Sequence, residues 1–359
     1  MKKVDTIIVG AGLSGMACAA QLVAQNRSVV VLEARSRIGG RILCPTHRSF
    51  FADLGPSWFW PMVNPEVSDL VQELGLKSYP QFEQGLALFE TKTGDVQTVS
   101  GCPMEPPAFR LEGGMIALIK GLFEQIGTQI IRLDHPVCEI LRLDNGCRVS
   151  VGHLDQPPRH TLSASNVIIA LPPRLAARSI LFTPDLSYGL TQAMLKASTW
   201  MAGHAKFFAL YDKATWRSMG LSGQAFSQRG PLGEIHDGSG AGDSPYGLTG
   251  FAGIPALRRK DKKTMSRAIL AQLVQLFGTD AEQPQALYYK DWARESFTAT
   301  EYDKKSSHNH PEFYPPGGRT STWNNTLHFA GSETAGQFGG YLEGALVSAR
   351  RATNAVSGK

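Results

Sequence analysis

Thr6-Ile7-Ile8-Val9-Gly10-Ala11-Gly12-Leu13-Ser14-Gly15 is the stretch that decides the fold. Its first four residues predict a buried strand, and the Ala-rich residues that follow Gly15 predict a helix. Between them, Gly10 permits a tight turn, Gly12 lets the backbone approach a pyrophosphate, and Gly15 lets the helix pack closely on the strand. The N–H groups at the start of the helix, near Ser14, attract anionic oxygens. The stretch therefore predicts a dinucleotide-binding βαβ unit.

A second predicted strand, residues 28–32, ends in Glu33, about 20 residues beyond the glycine loop. A carboxylate at this point can accept hydrogen bonds from the hydroxyl groups of an adenosine ribose, and it disfavours a 2′-phosphate. A GxGxxG pattern alone is weak evidence, but here it occurs together with the strand, the helix and the acid. The pattern predicts nucleotide binding without choosing between FAD and NAD.

The composition is that of a globular protein of about two domains. The 359 residues are 42% hydrophobic and 19% charged, and no apolar run is long enough for a membrane-spanning helix. The net charge of +5 comes from scattered basic residues, which is weak evidence for nucleic acid binding. The basic cluster at residues 258–263 is expected to be a solvated loop before a helix.

The five cysteines show no CxxC spacing, so we predict neither a disulfide framework nor a zinc site. His308 and His310 are too isolated to indicate a metal site. No Ser-His-Asp or Cys-His pattern is present. The first apolar strand begins so close to Met1 that a signal peptide has no room, which predicts a cytoplasmic protein.

The segment Glu33-Ala34-Arg35-Ser36-Arg37-Ile38-Gly39-Gly40-Arg41 resembles an extended motif of the flavin-containing amine oxidase superfamily. In that family a glycine pair and an arginine continue around the flavin diphosphate. The resemblance implies that Gly39 and Gly40 offer bare backbone and that Arg41 offers a fixed cation. It therefore favours FAD over NAD.

Similar matches recur over most of the chain. They are Asp53-Leu54-Gly55-Pro56-Ser57-Trp58, Gly113-Gly114-Met115, Val167-Ile168-Ile169-Ala170-Leu171-Pro172-Pro173, Leu327-His328-Phe329-Ala330-Gly331-Ser332-Glu333-Thr334 and Gly339-Gly340-Tyr341-Leu342-Glu343-Gly344-Ala345. Many relatives carry Gly or Ala where this chain has Pro56. In relatives, the residue matching Val137 contacts the adenine end. A final helix from about Tyr341 would aim its N-terminus at the pyrimidine edge of the flavin.

The resemblance implies a set of FAD-binding residues along these segments. They are Gly10, Gly12, Ser14, Gly15, Glu33, Ala34, Arg35, Gly39, Gly40, Arg41, Gly55, Pro56, Ser57, Trp58, Val137, Trp292, Gly331, Ser332, Glu333, Gly340, Tyr341 and Leu342. Some relatives attach FAD to a cysteine just before a cage tyrosine. Here Glu301 occupies that position, or Asn309 in another alignment register, so we predict non-covalent FAD.

Lys206 lies in the apolar stretch 205–211, where a charged side chain is costly to bury. The resemblance matches it to the lysine that, in monoamine and polyamine oxidases, holds a water against flavin N5 and assists the reaction with oxygen. The alternative interpretation is an edge-strand lysine whose ammonium reaches solvent.

Tyr341 and Tyr302 match the two walls of the family's aromatic cage, which would align a neutral amine. The position of Tyr302 depends on alignment through an insertion at 303–313. An alignment that instead matches Pro315-Pro316-Gly317 with the family would place His310 at this cage wall. The alternative interpretation is that both tyrosines pack in the core.

The predicted fold class is α/β, with a Rossmann-type FAD-binding domain and a smaller inserted α+β substrate domain. The first would comprise residues 1–78, 112–190 and 295–359, and the second residues 79–111 and 191–294. The stretch between the helix ending near Gly75 and Gly113 is shorter than in typical amine oxidases. Such a deletion would expose apolar surface, which is compatible with a homodimer.

The function implied by the resemblance is an FAD-dependent amine oxidase. A hydride equivalent would pass from the α-carbon of a small-molecule amine to flavin N5, and O2 would reoxidise the flavin to give H2O2. A desaturase or dehydrogenase of the same superfamily is the alternative. A flavin-bound protein without turnover is a third hypothesis. No nucleic acid or membrane partner is predicted.

Overall fold

The β-branched run at the N-terminus forms the central strand of a sheet that is buried on both faces. The computed structural model describes residues 3–243, 245–305 and 320–358. Within them the strands, in chain order, are β1 (Val4–Val9), β2 (Val29–Leu32), β3 (Thr46–His47), β4 (Phe50–Phe51), β5 (Ser78–Pro80), β6 (Leu86–Glu90), β7 (Val96–Val99), β8 (Phe109–Leu111), β9 (Ile131–Arg132), β10 (Val137–Leu143), β11 (Gly146–Val151), β12 (His160–Ile169), β13 (Leu181–Thr183), β14 (Ala205–Tyr211), β15 (Leu221–Ser227), β16 (Leu232–Asp237), β17 (Tyr246–Ala252), β18 (Ala286–Asp291), β19 (Ser321–Thr322) and β20 (Leu327–Phe329).

The helices of the described residues lie on both sides of this sheet and against a second one. They are α1 (Leu13–Ala24), α2 (Pro65–Glu73), α3 (Ile116–Ile126), α4 (Pro173–Ser179), α5 (Tyr188–Lys196), α6 (Thr215–Ser218), α7 (Lys262–Phe277) and α8 (Leu342–Ser357). Strands β10 and β11 form an antiparallel hairpin, and the predicted helix that ends near Gly75 is confirmed as α2.

The first sheet is built around five parallel strands in the order β20-β12-β1-β2-β9. Strand β12 is long enough to pair with the antiparallel strand β11 along its first half and with β20 along its second half. The strands β1, β12 and β20 thus come from three distant parts of the chain. Their carboxyl ends meet at one edge, which is where open α/β sheets bind their ligands.

The second sheet has seven strands in the order β18-β14-β17-β16-β15-β6-β7. Strand β14 is buried on both faces. Phe207 and Ala209 belong to the apolar cluster that α7 completes, whereas Phe208 and Leu210 pack against Ala52 and Leu54. Lys206 is on the same face as Phe208, because side chains alternate along a strand. This face is directed at the segment around residue 54.

The basic cluster at 258–263 departs from the prediction of a solvated loop. Arg259 is only 6% exposed, and its Nη1 lies 2.5 Å from Asp291 Oδ1. It also donates to the carbonyl of Gly203. The prediction was wrong for this residue because its partners lie far away in sequence. Helix α7 begins within the cluster, at Lys262, with Asp261 as its N-cap.

All five cysteines carry free thiols. Among the described residues, no helix has both the length and the apolar character needed to cross a membrane.

The contact between α1 and β1 gives a direct test of the glycine loop. A Cβ at Gly15 would lie 1.9 Å from the carbonyl oxygen of Gly10, so Gly15→Ala must push the helix off the strand. We expect this variant to lose about 1–3 kcal/mol of stability or more, measured by denaturant unfolding of the purified protein.

Gly189→Ala is the matched control. This glycine lies in α5, and an added Cβ would meet no atom within 4 Å. The control should be unchanged or gain up to about 1 kcal/mol. Equal stability of the two variants would contradict the proposed packing role of Gly15.

Candidate active site

One long cavity runs from the glycine loop to the face of the second sheet that carries Lys206. It is lined by Gly10, Gly12, Leu13, Ser14, Glu33, Arg35, Gly39, Gly40, Arg41, Ile42, Leu54, Gly55, Pro56, Ser57, Trp58, Trp60, Asn64, Ala170, Leu171, Pro172, Trp200, Met201, His204, Lys206, Phe251, Trp292, Phe297, Thr298, Ser332, Gly340, Tyr341, Leu342 and Ala345. The structure therefore brings together most of the predicted cofactor residues from opposite ends of the chain.

The glycine loop forms the first end of the cavity. Gly10 has a φ of +103°, which favours glycine, and the backbone of Gly12 bridges to that of Gly39. Gly12 lines the cavity, and a Cβ added to it would lie in open space, with only the Cα of Gly40 nearby, at 3.9 Å. Only bare backbone leaves this surface open to a phosphate beside the N-terminus of α1. The loop therefore fits a dinucleotide.

Glu33 is buried at the end of β2, and its carboxylate is held by backbone. Oε2 accepts the N–H of Ala11 at 2.8 Å, and Oε1 accepts the N–H of Arg35 at 3.0 Å. Oε1 also accepts from Arg35 Nη1 at 3.3 Å. An ionised carboxylate offers about four acceptor sites, so Oε2 keeps capacity for a hydroxyl group of a ribose. The geometry fits the predicted role of Glu33.

Arg41 is clamped by an acid from the C-terminal segment. Its Nη1 and Nη2 lie 2.5 and 3.0 Å from the two carboxylate oxygens of Glu333, and Nη2 donates to Ser332 Oγ at 2.8 Å. Glu333 is fully buried behind Arg41 and does not itself line the cavity. The arginine faces the cavity as a fixed cation, while Glu333 positions it.

Lys206 is buried, and its ammonium binds the segment that crosses the cavity. Nζ donates to the carbonyl of Gly55 at 2.8 Å and to Ser57 Oγ. It also lies 5.3 Å from the ring centroids of Trp58 and Phe251. Burial lowers the pKa of Lys206 to about 7, although Asp53 opposes part of that effect. The alternative of an edge-strand lysine in solvent does not fit, because β14 lies between β17 and β18.

The segment 54–58 is held by three side chains from other elements. Besides Lys206, Trp292 Nε1 donates to the carbonyl of Leu54 at 2.8 Å, and Trp58 Nε1 donates to Gln81 Oε1 at 2.6 Å. Tyr341 also lines the cavity, as the N-cap residue of α8. The N-terminus of α8 therefore points its positive dipole end toward the cavity.

Tyr302 does not face Tyr341. Its side chain is 56% exposed, lies under the guanidinium of Arg178 and is not part of the cavity lining. The predicted cage wall at Tyr302 is thus wrong in position, because the turn that follows Thr300 turns the ring outward. His308, Asn309 and His310 lie outside the described residues.

Other predicted cofactor residues support the cavity without lining it. Gly15 and Gly331 make close backbone contacts, and Val137 packs in the apolar core beside the first sheet. Ala34 also lies outside the lining. Within the described residues, no cluster of three or more His, Cys, Asp and Glu side chains could hold a metal ion.

The sequence prediction missed several lining residues, among them Trp200, His204 and Phe251. His204 lies two residues before Lys206, so strand alternation could have placed it on the same face. Phe251 pairs with Lys206 across β14 and β17, and Glu234 pairs with Phe251 across β16 and β17. Glu234 Oε1 is 2.6 Å from His236 Nε2. This cross-strand row of Lys206, Phe251 and Glu234 cannot be predicted from the sequence unless the pairing of the strands is known.

Two family models match the chain. The model described as flavin containing amine oxidoreductase matches residues 81–357, and the model described as NAD(P)-binding Rossmann-like domain matches residues 8–74. The second match contains the glycine loop and the segment 33–41. The first contains Lys206 and Tyr341.

Curated relatives match over nearly their whole length. The probable flavin-containing monoamine oxidase A of Dictyostelium discoideum is 24% identical, with 99% of this chain and 98% of that protein covered. The putrescine oxidase of Kocuria rosea is 25% identical, with 99% and 95% covered. The alignment with the Dictyostelium protein runs over 459 positions, against 359 residues in this chain. The chain is thus a shortened relative.

Solved structures share the fold. A putrescine oxidase bound to putrescine superposes with a TM-score of 0.80 at 21% identity, over 100% of both chains. The cyclohexylamine oxidase from Brevibacterium oxydans IH-35A also has a TM-score of 0.80, at 20% identity and 99% coverage.

The burial of Lys206 predicts a pH-dependent stability. In the unfolded chain its pKa is about 10.4, so between about 7 and 10 the unfolded state binds a proton that the folded state lacks. The contribution of Lys206 to the free energy of unfolding therefore rises with pH in this window. Lys206→Met removes it.

We expect the free energy of unfolding of Lys206→Met minus that of the wild type to fall as the pH rises from about 7 to 10. Denaturant titrations of both proteins with excess FAD measure this difference, and titrations of other groups cancel in it. A difference that stays constant or rises would contradict the buried, proton-releasing lysine.

Proposed function

Since the chain belongs to the family of flavin-containing amine oxidoreductases, we propose that it is an amine oxidase that converts an amine to an imine and reduces dioxygen to hydrogen peroxide. Membership makes the chain an FAD-dependent oxidoreductase. The choice of an amine and of O2 is the proposal. It is supported above all by Lys206, a buried ammonium that faces the same cavity as the dinucleotide loop.

The cofactor supplies the redox chemistry. Bound FAD would supply a two-electron acceptor: a hydride would leave the α-carbon of a neutral amine, water would hydrolyse the protonated imine so formed, and O2 would finally take up the two electrons and two protons to give H2O2. The glycine loop and Glu33 would bind its adenosine diphosphate half. None of the residues that line the described cavity is a cysteine, which agrees with non-covalent binding.

Lys206 would act on the oxygen side of the reaction. An ammonium has three N–H bonds, and the hydrogen bonds to Gly55 and Ser57 use two of them. The third is left for a water molecule in the cavity. With a pKa of about 7, the side chain can hold or release a proton near neutral pH. A positive charge at this point would stabilise the negative charge that develops on reduced oxygen.

Tyr341 would act on the amine side. Its position at the first turn of α8 fixes the ring at the cavity wall, where an aromatic face can orient an amine. No side-chain base is required, because the substrate carbon need only be held near the oxidant.

The proposal is tested by anaerobic reduction of the purified yellow protein. Primary, secondary and polyamines, amino acids and polyenes are added in turn while the flavin absorbance is followed, and air is then admitted. We expect an amine to bleach the flavin and air to restore the colour with formation of peroxide. Bleaching only by a non-amine, or slow recovery in air with fast recovery by an artificial acceptor, would replace the oxidase by a desaturase or dehydrogenase.

Lys206→Met tests the oxygen role. We expect the variant to keep its flavin and its rate of anaerobic reduction, but to reoxidise at least about tenfold more slowly. The wild-type reoxidation rate should fall as the pH rises above about 7, because the assisting form is the ammonium, and the variant should lose this dependence. Stopped-flow mixing of the reduced protein with oxygenated buffer measures both.

Lys290→Met is the matched control. Lys290 lies opposite Lys206 on the neighbouring strand β18, but its ammonium binds Glu295 and not residues 54–58. Its oxygen kinetics should equal those of the wild type. Unchanged oxygen kinetics in Lys206→Met would remove the assignment.

A further inference from the structure

Trp200 packs beside Tyr341 in the cavity lining, whereas Tyr302, which was predicted to face Tyr341, does not line the cavity. Trp200 follows helix α5 and lines the cavity together with Lys206 and Tyr341. The centroids of the Trp200 and Tyr341 rings are 6.0 Å apart, with the planes tilted by 42°. At this distance the rings touch each other, so a substrate cannot enter between them. They form one continuous aromatic wall instead of the two sides of a slot.

The backbone of Trp200 is fixed on both sides. The N–H of Trp200 donates to Glu333 Oε1 at 3.2 Å, and its carbonyl accepts from Arg41 Nη1 at 3.3 Å. One residue earlier, the N–H of Thr199 donates to Asp303 Oδ1 at 3.2 Å. Both carboxylates are buried, so these bonds hold the loop in a low-dielectric environment, where they are strong.

The side chain is fixed as well. Gly340 has a φ of +82°, and a Cβ at this position would lie 2.4 Å from the Cβ of Trp200. The glycine therefore allows the indole to approach the start of α8 more closely than any other residue would. Because Trp200 packs against the turn that carries Tyr341, the two rings are positioned as a unit.

The aromatic surface continues from Trp200 toward Lys206. His204 lies 6.3 Å from Trp200 and 6.4 Å from Phe251, measured between ring centroids. Burial lowers the pKa of His204 below its usual 6.5, so this ring is neutral at pH 7. Phe251 lies directly below the ammonium of Lys206. An uncharged surface of tilted aromatic rings therefore extends from Tyr341 to the proposed oxygen-reacting residue.

We propose that Trp200 is a specificity-determining residue that contacts the substrate and favours amines carrying an aromatic or alicyclic ring over amines carrying only small alkyl groups. The inference rests on the proposed function, since it names the substrate class of the same site. A ring laid against the indole buries apolar area on both partners, whereas a small alkyl group covers little of it. The stacking preference of aromatic pairs adds to this gain.

Two amines without an α-hydrogen test the wall without turnover. 2-Phenylpropan-2-amine and tert-butylamine both carry the amino group on a fully substituted carbon, so neither can be oxidised to an imine. They differ only in that the first has a phenyl ring where the second has a methyl group. Their dissociation constants are measured from the flavin absorbance shift of the holoprotein, for the wild type, Trp200→Ala and Trp200→Phe. Tyr188→Ala is the control, because this tyrosine is 82% exposed on α5.

We expect Trp200→Ala to weaken binding of 2-phenylpropan-2-amine about tenfold and that of tert-butylamine less than about threefold. Trp200→Phe should lie between wild type and Trp200→Ala, and Tyr188→Ala should change neither. If Trp200→Ala fails to fold, Trp200→Phe carries the test, with a selective loss of about two- to fivefold expected. Equal loss for both amines, or no loss for either, would overturn the inference.

Anaerobic reduction by benzylamine separates this inference from the proposed function. If no oxidisable amine reduces the wild-type flavin, the proposed function fails, while the two non-oxidisable amines still report on the wall. If benzylamine reduces the flavin and the selectivity for the phenyl ring is the same in all variants, only the role of Trp200 fails.

Discussion

The hydrogen bonds from Lys206 to Gly55 and Ser57 are the constraint on which the site depends. Lys206 belongs to an interior strand of the second sheet, and residues 54–58 line the cavity. Burying an ammonium is expensive, and these two acceptors offset part of the cost while fixing where the charge sits. The remaining cost is expressed as the lowered pKa of Lys206. The same burial that makes the residue a liability for stability makes it able to exchange a proton near neutral pH.

A second set of contacts joins the two ends of the chain. Arg41, which follows the glycine pair, binds Glu333 from the segment after β20, and the same carboxylate binds the backbone of Trp200. One buried acid thus positions a cation on the cofactor side and an aromatic ring on the substrate side. Together with the glycine loop, these contacts let residues separated by hundreds of positions form a single cavity.

The local elements could be predicted from the sequence because their signals are local. The glycine loop and the strand around Lys206 depend on neighbouring residues, and the structure confirms both. Most of the resemblance-based cofactor residues also line the cavity. Predictions that depended on distant partners were less secure. Arg259 is buried because Asp291 neutralises it, and no pattern near residue 259 announces that partner.

The aromatic wall could not be predicted for a related reason. Assigning Tyr302 required an alignment across an insertion. Trp200, in contrast, is held at the cavity because Asp303 binds the backbone N–H of Thr199 and Glu333 binds that of Trp200, contacts that only the folded chain creates. Phe251 and Glu234 join the row of Lys206 through strand pairing. Such cross-strand neighbours can be predicted only when the register of the sheet is known, and the alternation of side chains in the sequence does not determine that register.

A crystal structure of the protein with FAD would show whether the dinucleotide loop and Lys206 serve one and the same ligand. We expect an arrangement with a ribose hydroxyl hydrogen-bonded to Glu33, the pyrophosphate at the N-terminus of α1 and the flavin ring beside Lys206 and Tyr341. A cofactor whose adenosine end lies away from Glu33, or whose ring is separated from Lys206 by protein, would contradict it.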